Sequence, residues 1–257
     1  MSILFDEVES ALMDFVYRGI AVSTTAERYA GLVAGDDEIT GPGYVRVRVD
    51  ELMGAPASGE TSNSGQIVWP VPTGDWTTTE PVTHVLLCEA LLDGNALATL
   101  PLSAAKTIRA GDTVDIAPGQ LRGSVGSNLV PAWRDKVADI VFRGVVTTET
   151  QQRWLGLMLS SGNEVSGGAY VRVRIDDKLS LPVDEGQGLR VTNSAVIAYP
   201  QATAAWTATE PVVSAMIFDA ATGSGQICGV PFDDEIRVDA GDTFRFEPGN
   251  LVLGMRE

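Results

Sequence analysis

Residues Glu38–Asp50 read EITGPGYVRVRVD, and the phrase returns at Glu164–Asp176 as EVSGGAYVRVRID. Each copy alternates with period two after its tyrosine, the spacing of a β-strand. That alternation predicts Val45, Val47 and Val49 on one face and Arg46 and Arg48 on the other, with Arg172 and Arg174 placed likewise in the second copy. Four further blocks recur in the same order. DFVYRG from Asp14 returns as DIVFRG from Asp139, and TSNSGQIVWP from Thr61 as VTNSAVIAYP from Val191. WTTTEPV from Trp76 returns as WTATEPV from Trp206, and AGDTVDIAPGQL from Ala110 as AGDTFRFEPGNL from Ala240. Five colinear blocks mark a duplication, the feature to look for first in any chain. The reading is two homologous domains, residues 1–123 and 129–257, joined by a Gly/Ser linker at 124–128.

Each copy opens with a helical pattern. Leu4, Val8, Leu12 and Phe15 form one apolar stripe, with Ser2 as the expected N-cap and Arg18-Gly19 as the stop. In the second copy Pro131 suits the first turn, Trp133, Val137, Ile140 and Val141 form the stripe, and Arg143-Gly144 repeats the stop. The period then changes to two. Strands are expected at 66–69, 82–88, 96–100 and 113–117, with counterparts at 196–199, 212–218, 226–230 and 243–247. Gly41-Pro42-Gly43, Asp93-Gly94-Asn95 and Pro118-Gly119 supply turns between them. The expected fold is mainly β: two tandem antiparallel β-sandwich domains, each preceded by a short N-terminal α-helix.

Composition narrows the function classes. The 257 residues carry 34 Asp plus Glu against 18 Lys plus Arg, a net charge of −16. Such acidity disfavours nucleic acid and anionic membrane surfaces, which need clustered cations. No apolar run approaches the roughly 20 residues that span a bilayer. Asp6 and Glu7 stand where a signal peptide carries positive charge, so a protein made and kept in a cytoplasm is expected. Two cysteines, Cys88 and Cys228, make no disulfide framework and read as small apolar strand residues; a bridge between them is the less favoured alternative.

A search for chemistry finds no catalytic constellation. His84 is the sole histidine, lies in an apolar stretch, and is replaced by Ser214 in the second copy, so it reads as a locally bonded strand residue. HExxH, CxxC and phosphate-loop patterns are missing from the sequence. Gly223-Ser224-Gly225 reads as a hairpin turn. The acidic runs Asp36-Asp37-Glu38 and Asp233-Asp234-Glu235 read as solvated loops, with Ca²⁺ binding the weaker alternative because the alternating ligand spacing is missing. No catalytic residue, metal or cofactor is therefore expected. Six residues remain as candidates for a partner interface. Trp76 and Trp206 either close one end of each domain or serve as stacking platforms. Arg46, Arg48, Arg172 and Arg174 either pair with acids on neighbouring strands or dock on an acidic partner surface.

As a set, the repeated blocks resemble small domains of virion structural proteins of tailed bacteriophages, of the tail-fibre-like or minor structural kind. The second copy carries the likeness best, at Glu164–Arg172, Thr192–Ser194, Trp206–Val212, Asp219–Gly223 and Ala240–Thr243. The first departs at EALLDG, Glu89–Gly94. The resemblance implies a β-rich, non-enzymatic particle component, localised to the virion, that docks on other virion proteins and forms homo-oligomers. The chain has neither coiled-coil heptads nor β-helical repeats for a stalk, so capsid decoration or stabilisation through major capsid proteins is expected ahead of a tail, collar or baseplate fibre. A host-surface glycan enters as a partner only if the fibre end is an adhesion module with exposed tryptophans.

Overall fold

The computed structural model describes residues 4–22, 26–77, 79–126, 129–145, 152–184, 188–223 and 225–254. The expected cap Ser2 lies outside them. The protein is mainly β, built of antiparallel sheets with two short helices. Helix α1 spans Asp6–Met13 and continues as a single π-turn, Asp14–Arg18; α2 spans Pro131–Ala138 and continues as Asp139–Arg143. Both stops fall where the sequence places them. Gly19 and Gly144 take left-handed conformations, φ 68° and 67°, and donate their N–H groups to the Asp14 and Asp139 carbonyls. Left-handed φ is nearly free for glycine and costly for other residues. Leu4, expected on the first helical turn, instead makes a β-bridge to Ala98, and Leu129 does the same to Cys228.

The two compact units do not coincide with the two sequence repeats. One unit comprises Met1–Val8, Ser23–Val125 and Pro131–Thr147; the other comprises Glu9–Val22, Gly126–Val130 and Thr148–Glu257. Each unit therefore keeps the β-strands of its own repeat; the first takes α2, and the second takes α1 from Glu9 onward. We call the first the α2-closed unit and the second the α1-closed unit.

The α2-closed unit centres on a five-stranded sheet. Its order is Asp37–Glu38, Tyr29–Ala34, Val82–Cys88, Ala96–Lys106, and Val47–Arg48 also pairs with Tyr29–Ala34. The α1-closed unit repeats it as Val173–Arg174, Trp154–Leu159, Val212–Phe218, Gln226–Ile236. Register and irregularity repeat as well: Tyr29 faces Cys88 as Trp154 faces Phe218, and each central strand shifts register before its last residue. The predicted 82–88 and 212–218 strands have those bounds, whereas those from 96 and 226 run on to 106 and 236. Small two- and three-stranded sheets fill out each unit, such as Glu60–Ser62 with Arg122–Ser124 and Leu189–Thr192 with Val252–Gly254.

Three expectations need correction. The central strands Tyr29–Ala34 and Trp154–Leu159 are strands the period-two reading passes over. Four consecutive residues in each are buried, so no alternation appears. The YVRVRV stretches pair over only two residues each, and their predicted faces invert at one position. Val45 and Val171 are 44% and 55% exposed, while Arg172 is buried and Arg46 half-buried. Finally, neither acidic run is simply a loop: Asp37–Glu38 pairs as a short strand with Tyr29–Ala34, and Asp233-Asp234-Glu235 lies within the Gln226–Ile236 strand. Carboxylates there sit on the outermost strand of the sheet, where charge opposes pairing with a foreign edge.

Candidate functional site

Each unit is closed by one buried arginine that grips the end of its helix. Arg28 directs Nε to the Val141 carbonyl at 2.7 Å and Nη2 to the Ile140 carbonyl at 2.6 Å. In the other unit Arg153 directs Nε to Val16 at 2.6 Å and Nη2 to Phe15 at 2.5 Å. Both arginines are 0% exposed. The last carbonyls of a helix lack intrahelical partners and carry the negative end of its dipole, so a guanidinium satisfies them and their field together. Each arginine is anchored in turn: its Nη1 bonds the preceding carbonyl, and its backbone N–H donates to Asp50 or Asp176. Burial pushes the Arg28 pKa down, against the pull of Glu89 and Asp50.

Apolar packing completes each closure. Trp133, Val137, Ile140, Val141 and Phe142 are buried in the α2-closed unit. A Cβ on Gly123 would stand 2.6 Å from the Phe142 ring, so the strand passes that close to the helix. Opposite, Leu12, Met13, Phe15, Val16 and Tyr17 are buried, and the Tyr17 hydroxyl donates to the Gly254 carbonyl at 2.8 Å. Neither Arg28 nor Arg153 was singled out from the sequence. Extending the 125-residue offset would have found them, since Arg-Tyr-Ala-Gly-Leu from Arg28 matches Arg-Trp-Leu-Gly-Leu from Arg153.

The predicted interface residues form a second repeated cluster. Glu38 accepts from Tyr44 at 2.8 Å and from Arg46 Nε and Nη2 at 2.9 and 2.7 Å. Arg46 Nη1 reaches the Ala90 and Asp93 carbonyls of the next hairpin at 2.9 and 2.7 Å. Glu164, Tyr170 and Arg172 repeat the arrangement, with Arg172 holding the Ala220 and Gly223 carbonyls at 2.8 and 2.6 Å. The Arg172 guanidinium also lies 3.4 Å over the Phe218 ring. Burial pushes the Glu38 pKa up, but the bonds from Arg46 and Tyr44 outweigh it and hold the carboxyl below its ordinary value. Desolvation drives Tyr44 and Tyr170 well above the normal phenol range, so both remain neutral donors.

The six candidate residues differ in what they leave exposed. Trp76 and Trp206 are each 5% exposed, edge-on to Tyr44 and Tyr170, and donate to the Pro42 and Gly168 carbonyls. They present no stacking face. Arg46 and Arg172 direct most of their donors to loop carbonyls and their glutamates. Arg48 and Arg174 alone keep about half their side-chain surface, 48% and 49%, while paired with Asp50 and Asp176. Cys88 and Cys228 are free and buried, with burial pushing their thiols up to about 11 and about 12. His84 meets only its neighbour's hydroxyl, Thr83 Oγ1, at 2.9 Å in the hydrogen bonds described. Among the described residues no group of three or more His, Cys, Asp or Glu is placed to hold a metal ion, and no helix is long and apolar enough to cross a membrane.

The repeat thus recurs as structure, unit for unit and clamp for clamp. The family model for podophage GP4 fiber I protein gp80 matches twice, over residues 4–124 and 129–254. The chain belongs to this podophage fibre family. The two matched regions are the two repeats, and together they take in nearly the whole sequence. No curated protein matches the chain.

Proposed function

We propose that this chain is a non-enzymatic, fibre-type structural component of a phage particle, acting through protein–protein contacts. The observation that carries this is the double match to a fibre family across both repeats. The fibre role takes precedence over the capsid-decoration role expected from compactness and acidity, since the family description names a fibre. Two further features favour protein over glycan partners. The repeated tryptophans are buried, and exposed apolar side chains gather instead beside the Glu38–Tyr44–Arg46 cluster, where Leu91, Leu92 and Val45 are 44%, 74% and 44% exposed. The buried clamps are fold-forming groups in this reading, and neither supplies a nucleophile beside a base.

Quantitative mass spectrometry of purified particles tests it, with copy number measured against the major capsid protein. A few to a few tens of copies fit a fibre, collar or baseplate part. Hundreds of copies would restore the decoration reading, and absence from the particle would remove both. Localisation by electron microscopy with an antibody to the chain adds position: label on the tail or neck is expected, and label over the shell would contradict the fibre reading.

A further inference from the structure

One hairpin occurs in both copies and differs between them in a way the fold does not require. In each, the N–H of the first residue donates to the carbonyl of the last, Glu89 to Asn95 at 3.2 Å and Asp219 to Gly225 at 3.0 Å. Each is also pinned by its arginine, Arg46 on the Ala90 and Asp93 carbonyls and Arg172 on the Ala220 and Gly223 carbonyls. That match sets Leu91 and Leu92 of the first copy against Ala221 and Thr222 of the second, all four exposed. The second copy makes the same pinned turn with alanine and threonine, so the leucines serve no need of the turn. A lone exposed leucine calls for no explanation, but a gathered apolar patch marks a contact site. Here Leu91, Leu92 and Val45 line one hollow of about 180 Å³ together with Tyr44 and the buried Ile39.

Charge says what the patch fits. Asp93 lines the hollow and is exposed, and its backbone is left-handed, φ 53°, where the matching Gly223 has φ 85°. Aspartate adopts that conformation at a cost glycine does not carry. The first copy thus accepts strain and gains a carboxylate beside the leucines. Asp36 and Asp37, also exposed, run into Glu38 on the same hollow. The cation lining it is Arg46, whose three nitrogens already bond Glu38 and the two hairpin carbonyls. We propose that the Leu91–Leu92 hairpin of the α2-closed unit is a docking surface for another protein of the particle, one that offers an apolar side chain ringed by lysine or arginine. This rests on the particle-component reading above and names the surface and the partner's chemistry. A second copy is the poorer fit, because it brings its own net charge of −16 to an acidic rim. The matching face of the α1-closed unit, with alanine, threonine and glycine in place of Leu91, Leu92 and Asp93, does not take this partner.

The experiment assembles particles with the full-length chain carrying Leu91→Ala and Leu92→Thr, the pair the second copy already has. Its copies per particle are counted against the wild-type chain by quantitative mass spectrometry. A drop of at least about tenfold is expected from the loss of two buried leucines, with the denaturation midpoint unchanged. Undiminished incorporation would overturn the docking surface and leave the particle-component reading standing. Absence of the wild-type chain from particles would overturn that reading, and this one with it. Should the double variant not fold, a chain carrying Leu92→p-benzoylphenylalanine, at a position 74% exposed, is irradiated in the particle and the linked peptides are sequenced. Links to another particle protein, at an apolar residue flanked by lysine or arginine, are expected. Links to an acidic or uncharged segment, links between copies of this chain, or no link to any other chain would each overturn the proposal.

Discussion

Arg46 and Arg172 do the same work in the two units, yet only Arg172 rests on an aromatic ring. Both bind a glutamate through two nitrogens and tie down two carbonyls of the neighbouring hairpin. Beneath Arg172 lies Phe218, whereas its register equivalent in the other unit is Cys88. Trp69 and Tyr199 differ in the opposite sense: both are buried, but Tyr199 donates to the Leu155 carbonyl at 3.0 Å, while Trp69 Nε1 has no hydrogen-bond partner among the described residues. At the arginines the duplicated copies have therefore kept the polar connections and let the apolar backing drift; at Trp69 and Tyr199 they have kept a buried ring and let the polar connection go. A guanidinium bonded at several fixed points tolerates few substitutes, whereas a strand position against a core accepts any side chain of workable volume.

The largest effect is expected where the copies agree most. Arg28→Met and Arg153→Met should each lose about 3 kcal/mol, the worth of charge-assisted bonds to two otherwise unsatisfied carbonyls. Chemical denaturation monitored by circular dichroism measures both. Equal losses are predicted, and a difference beyond about 1 kcal/mol would break the symmetry between the two helix dockings.

The Glu38–Arg46 and Glu164–Arg172 clusters should separate the units. Arg172→Ala is expected to cost about 1 kcal/mol more than Arg46→Ala, the contribution of a desolvated cation–ring contact. A double-mutant cycle of Arg172→Ala with Phe218→Cys isolates that contact, and a coupling near zero would remove the ring from the account.

These particulars explain what the sequence disclosed. The duplication, the Arg-Gly helix stops and the strands from Val82 and Val212 were legible because each depends on local pattern or on comparison of one copy with the other. The strands from Tyr29 and Trp154 were hidden because burial on both faces erases alternation. The inward turn of Arg46 and Arg172 was hidden because alternation presumes a regular strand, and only two residues pair there. Helix exchange was invisible for a deeper reason. Two copies with the same stripe and the same arginine give no local sign of which helix closes which unit.

Acid should weaken both units by one mechanism. Burial raises the Asp50 and Asp176 pKa values, but bonds from Arg48 and Arg174 and from the Arg28 and Arg153 backbone outweigh it, leaving both low, as with Glu38. A carboxyl whose folded pKa is depressed contributes stability above its unfolded value, near 4, and loses it as pH falls through the folded value. Denaturation midpoints should thus be flat on this account from pH 7 to about 5 and fall below about 4. A protein no less stable at pH 3 than at pH 6 would contradict these pairings.

The smallest effect concerns the thiols. With Cys88 and Cys228 buried and their thiols pushed up, neither should react appreciably with iodoacetamide in the folded protein at pH 7.5, and both should react in denaturant. Rapid labelling of one alone would show that its unit opens independently of the other.

The central claim, that each repeat closes its unit with the helix of the other, is tested most directly by nuclear Overhauser contacts in solution. Tyr17 ring protons should contact residues 252–254, and Phe142 ring protons should contact Gly123. Contacts from Tyr17 to residues 122–124, with Phe142 facing 252–254, would contradict it.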